Sequence, residues 1–160
     1  MKNTTCKWLL AGILASLAGM ASVQAGTESS QFTAQIAIEA DCTVSTPDPL
    51  DFGTTGLLTS NVDAQTSFTV TCTNGTYHVI MMSDGQHAWS SQNRMANNGQ
   101  YVKYELFSDA ARTQVWDFSH YPTAYGTGAA QSYTVYGRVP PQTTPAPGTY
   151  TDTVTIWVYY

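Results

Sequence analysis

Positive charge is scarce in this chain: six lysines and arginines stand against eleven acidic side chains in 160 residues. A chain so poor in cations repels a phosphate backbone, which excludes nucleic acid as a partner class. Cysteine is scarce too, limited to Cys6, Cys42 and Cys72. His78, His87 and His120 are scattered, without the close spacings of a zinc site, so neither metal nor any other cofactor is expected. Also missing are a nucleophile elbow, a His-Glu-x-x-His helix and a paired-carboxylate motif. The carboxylates, Asp48, Asp51 and Asp63 among them, are expected in solvated turns. No catalytic residue is assigned, and the chain does not read as an enzyme.

Long apolar runs are missing everywhere but at the N-terminus. There Lys2 and Lys7 precede an apolar stretch from Trp8 to Met20, followed by Val23 and Ala25. That order predicts a secretory signal peptide over 1–25 and export to the periplasm. The stretch is too short for a permanent membrane helix and no second one follows, so no stable membrane anchor is expected. About 135 residues remain, a natural size for one domain with one core. Their four basic residues, Arg94, Lys103, Arg112 and Arg138, face all eleven acids. Cys42 and Cys72, an even pair in an exported chain, read as a disulfide. By the chain-entropy argument a loop of that size is stabilised by roughly 3–4 kcal/mol.

What is present is alternation with period two, and no segment of useful length shows helical periodicity. Phe68, Val70 and Cys72 alternate with Ser67, Thr69 and Thr71, which predicts a half-buried strand with Cys72 on the core face. Residues 76–82 are apolar on both faces, as in a central strand, between the turn signals Asn74-Gly75 and Asp84-Gly85. Further strands are expected over 100–107, after Asn97-Asn98-Gly99, over 131–139, and over 149–160. Pro140, Pro141, Pro145 and Pro147 predict an extended surface connection. This spacing of strands and turns argues for an all-β sandwich.

The clearest alternation lies ahead of Cys42, where Phe32, Ala34, Ile36, Ile38 and Ala40 take one face. It reads either as an ordinary first strand or as one that completes the sheet of a neighbouring molecule. The run 149–160 poses a related question, because an apolar edge of that length needs a partner.

Six segments in order carry a resemblance. They are Cys-Thr-Val at 42–44, Leu-Asp-Phe-Gly-Thr at 50–54, Val-Thr-Cys at 70–72, Tyr-Glu-Leu-Phe-Ser-Asp-Ala-Ala-Arg-Thr at 104–113, Tyr-Thr-Val-Tyr-Gly-Arg-Val-Pro at 133–140 and Gly-Thr-Tyr-Thr-Asp-Thr-Val-Thr-Ile at 148–156. Together they resemble the spore coat U domain family, which includes the Csu-type pilins of archaic chaperone–usher systems. The resemblance implies an incomplete immunoglobulin-like β-sandwich that lacks its last strand. A periplasmic chaperone, and then a donor strand from the next subunit at an outer-membrane usher, would complete it.

On this resemblance 26–40 is the donor segment, with Phe32, Ala34, Ile36 and Ile38 as its inserting side chains, and 41–160 is the pilin domain. Cys42 and Cys72 take the place of the family disulfide. Val154, Ile156, Val158, Tyr159 and Tyr160 form the edge to which the chaperone strand pairs. The implied partners are the chaperone, the usher and copies or paralogues of the chain. The implied function is a structural subunit of a surface fibre supporting adhesion and biofilm formation. A secreted coat-like protein or a tip adhesin is the alternative, with Trp89, Trp116, Tyr121 and Tyr125 as its candidate contacts.

Overall fold

The computed structural model describes residues 25–160. The export signal read over 1–25 therefore lies outside them, Ala25 excepted. The chain divides into two units, Met1–Ile36 and Ala37–Tyr160. Within the described part of the first, residues 25–36, no strand forms and the side chains are exposed.

The second unit is all β. Its strands are β1 (Cys42–Val44), β2 (Val62–Cys72), β3 (Tyr77–Met82), β4 (Arg94–Asn97), β5 (Gln100–Lys103), β6 (Glu105–Phe107), β7 (Thr123–Tyr125), β8 (Gln131–Val139) and β9 (Ile156–Tyr159). Two antiparallel sheets, ordered β1-β2-β8-β6 and β7-β3-β9, enclose the core, and β4-β5 forms a separate hairpin. That hairpin turns at Asn98-Gly99, both with positive φ, as a two-residue loop requires.

Alternation explains the core directly. On β2 the side chains of Phe68, Val70 and Cys72 point inward, on β3 His78, Ile80 and Met82, and on β8 Val135 and Val139, all of them buried. Trp116 ties the two sheets together. Its ring lies 6.4 Å from that of Phe68 on one sheet, and its indole N–H donates to the Ile80 carbonyl on the other at 3.1 Å. Trp116 is thus a core residue, unlike Trp89, Tyr121 and Tyr125, which remain exposed.

Several expectations need correction. The stretch 100–107 is two strands rather than one: β5 belongs to the hairpin and β6 to the edge of the four-stranded sheet. The alternation nevertheless survives the break, because Val102, Tyr104 and Leu106 are all buried while the backbone changes partners at Tyr104, whose N–H donates to the Asn93 carbonyl. In 149–160 only Ile156–Tyr159 is a strand. Asp63 lies on β2 and not in a turn.

The arginines have structural partners. Arg138 forms a two-pronged ion pair with Asp63 across β2 and β8, at 2.7 and 2.8 Å. Arg112, held at φ 55° by the turn that Asp109 closes, donates to the carbonyls of Gly137, Ala64 and Ala110. It thereby clips the turn onto the backbone of β2 and β8.

Two outcomes follow. Phe68→Ala, which empties a site between Tyr133 and Trp116, should lower unfolding free energy by about 3–5 kcal/mol in urea titrations. The second concerns acid. The Arg138 guanidinium holds the Asp63 carboxyl below the usual carboxylate range, and backbone N–H groups do the same for Asp109 and Asp117. A carboxyl lowered on folding contributes stability above its unfolded value and loses it as pH falls through the folded one. Stability should therefore drop below about pH 4, and Asp63→Asn should flatten part of that drop in a pH series of melts.

Candidate functional site

The last strand leaves the sandwich open. Along 151–159, backbone bonds run to one side only: to β3 through the ladder, to Ser83 and Gln86 from the carbonyls of Thr155 and Thr153, and to Ala96 from Thr151. Among the described residues nothing pairs with the other side of β9. The other sheet ends nearby on β1, which is three residues long and, among the described residues, pairs only with β2. These two edges approach each other, and the Tyr160 hydroxyl donates to the Asp41 carboxylate at 3.3 Å.

Side-chain burial records the missing cover. Val154, Ile156 and Val158 point inward and pack on the core, yet each is only half-buried. Their counterparts on β2, β3 and β8 are sealed; Val70 and Ile80 are both 0% exposed. Cys42, Leu50, Phe52 and Val62 are partly covered in the same way. Apolar side chains aimed at a core but left accessible along an unpaired backbone form a groove for one more strand.

Leu50 and Phe52 had no role assigned from sequence. Spaced two apart, they lie on β8 where Gly137 has no side chain. A Cβ at Gly137 would come within 2.7 Å of Leu50 and 2.8 Å of Phe52. Their period of two was the available signal, but it is too short to stand out.

Asp152 was also missed. Its carboxylate is 2% exposed and accepts from the Tyr104 hydroxyl at 2.7 Å and from the His87 backbone N–H at 3.1 Å. The His87 ring nitrogen Nδ1 is also 3.1 Å away, and the carboxylate rests against Gly85. Burial, followed by the hydrogen bond to Asp152, pushes the Tyr104 hydroxyl well above its ordinary value, so Tyr104 stays a neutral donor. This buried cluster fixes where the open run 152–160 begins.

Cys42 and Cys72 are register partners on β1 and β2 and are joined as a disulfide. The bond fastens the short edge strand to its neighbour. His78 lies close to both sulfurs, but paired sulfurs offer no thiolates to a metal.

The remaining predicted residues fall as follows. Phe32, Ile36 and Ile38 are 92%, 83% and 77% exposed, and Ala34 is exposed as well. All four lie in 25–41, where no strand is formed. Tyr159 points to the outer face of its sheet and is exposed.

Comparison with known proteins agrees with this architecture. The Spore Coat Protein U domain family matches residues 28–157. Among solved structures, the chain is similar to one from the CsuC-CsuE chaperone-tip adhesion subunit pre-assembly complex of the archaic chaperone-usher Csu pili of Acinetobacter baumannii. The identity is 23% and the TM-score 0.59, over 77% of this chain and 40% of that one. The chain thus spans well under half the length of that neighbour, and at such identity the likeness establishes a shared fold. No curated protein matches the sequence. With an open immunoglobulin-like sandwich and a family match over nearly all the described residues, the chain belongs to the Spore Coat Protein U domain family.

Proposed function

We propose that this chain is a structural subunit of a surface fibre, built by donor-strand exchange after export to the periplasm. The observation that carries the reading is the open side of the core along β9, in a chain that also holds an unpaired, alternating apolar segment. A periplasmic chaperone strand fills the groove first, pairing with the free edge of Val154, Ile156, Val158 and the terminal Tyr159 and Tyr160. At an outer-membrane usher, segment 26–40 of the next subunit then takes its place. The structural likeness to a subunit held in a chaperone pre-assembly complex supports the first of these steps.

The energetics suit the task. Residues two apart in an extended segment project to the same side about 6.6 Å apart, so Phe32, Ala34, Ile36 and Ile38 can enter successive positions along one groove. Their burial is worth a gross ~4–10 kcal/mol, Ala34 giving least, and main-chain hydrogen bonds to β9 add to it. The contact joins two different surfaces of like subunits, so it does not close on itself and extends into a filament. Adhesion and biofilm support are then properties of the fibre, and no catalytic step is assigned to the chain.

Deleting 26–40 should leave a domain that folds and is captured by its chaperone but is never added to a fibre. Co-purification and electron microscopy of cells expressing the chaperone and usher would read both. Polymer formed by the truncated chain would sink the donor assignment. Ile36→Asp should abolish fibres in the same assay, because a buried unpaired carboxylate is costly. Full secretion of the intact chain as a monomer would instead favour the coat-like alternative.

A further inference from the structure

The disulfide is overlooked from the facing sheet by a histidine. His78 is fully buried on β3. Its Nε2 shares a hydrogen bond of 3.1 Å with the Tyr133 hydroxyl, whereas among the described residues its Nδ1 has no partner. A ring nitrogen and both sulfurs lie within 4.8 Å of one another. A buried polar atom left unpaired costs about 1–3 kcal/mol, so this nitrogen calls for an explanation.

One is available in the chain before oxidation, when the same place holds two thiols and a thiol proton can meet the nitrogen. The two cysteines are not equivalent. Cys42 is half-buried on the edge strand at the open side, and Cys72 is 1% exposed. An oxidant therefore reaches Cys42 first, and Cys72 must attack from surroundings where a bare thiolate is disfavoured.

We propose that His78 is the internal base that closes the Cys42–Cys72 disulfide. The Cys42 thiolate attacks an external disulfide, of a small molecule or of an oxidising protein, and forms a mixed disulfide as one oxidant thiolate departs. The Cys72 thiol then gives its proton to the His78 imidazole, one of whose ring nitrogens lies beside the sulfurs, while its sulfur attacks that of Cys42. The second oxidant sulfur leaves as a thiolate, which takes a proton from solvent, and His78 returns its own proton to solvent. Two electrons have passed from the cysteine pair to the oxidant. Tyr133 holds Nε2 throughout and orients the ring. The titratable groups facing His78 are Cys42 and Cys72 from β1 and β2 and Tyr133 from β8; its register partner on β7 is Ala124.

The test reduces the exported chain with a phosphine, adds oxidised glutathione, quenches with acid and separates dithiol, mixed disulfide and closed disulfide by mass spectrometry. His78→Gln should slow closure by at least about tenfold with the first step unchanged, so that glutathione accumulates on Cys42. Closure in the unaltered chain should climb with pH by well under the roughly tenfold per unit of unassisted thiolate attack. Tyr133→Phe should slow closure less than His78→Gln. Unchanged closure in His78→Gln, equal slowing of both steps, or first capture on Cys72 would each overturn the proposal. If the variant fails to fold when reduced, the pH profile of the unaltered chain decides. A closure rate climbing about tenfold per pH unit into the alkaline range, as unassisted thiolate attack does, would also overturn it.

Discussion

The whole structure turns on one deficit: a sandwich core with a strand's width of apolar surface left open beside β9. An unpaired backbone edge above half-buried valine and isoleucine side chains is a poor end state in water, since it invites pairing with any extended chain. The rest of the unit holds that surface open without letting it collapse. Asp152, locked by Tyr104 and His87, sets where the open run starts. Leu50 and Phe52, seated on Gly137, cover part of the inner face of β8. The disulfide secures β1, an edge too short to be stable by its own ladder bonds.

Seen from this constraint, the sequence motifs are mostly scaffold. The segment 104–113 holds Tyr104 beneath Asp152, places Leu106 and Phe107 in the core, and uses Asp109 and Arg112 to clip its turn onto β2 and β8. Arg138, in another motif, is committed to Asp63. Three of the four arginine and lysine side chains beyond residue 25 are thus engaged, because Arg94 also lies over the rings of Tyr101 and Trp89. So committed a set of cations leaves little free positive charge among residues 26–160.

Much of this was legible in the sequence because period-two patterns survive folding intact. The register face of β2, the central position of β3, the extent of β8 and the Asn98-Gly99 turn follow from side-chain alternation and turn chemistry alone. Backbone partnership was less visible. The break at Tyr104 leaves the alternation of 102–106 unbroken, so no pattern marks the passage from hairpin to sheet. Three-residue strands such as β1 and β7 are too short to display a period. Asp152 and His78 were hidden for a different reason: polar residues read as exposed by default, and only three-dimensional packing shows that these two are buried.

On the proposed function, the segment ahead of Cys42 raises the question of why it would complete another molecule's core and not fold back onto its own edge. A hairpin onto β1 needs a tight reversal, and tight reversals draw on glycine, asparagine or proline to adopt their special backbone angles. Between Thr27 and Thr46 the sequence contains none of the three. Gln31 to Ala40 is instead a run of residues compatible with extended backbone, leading into β1 through Asp41, whose carbonyl accepts from Thr73. On the proposed reading, the absence of glycine, asparagine and proline is therefore as much a part of the polymerising device as Phe32, Ile36 and Ile38 are. It biases the segment toward a neighbour by making the intramolecular alternative the strained one.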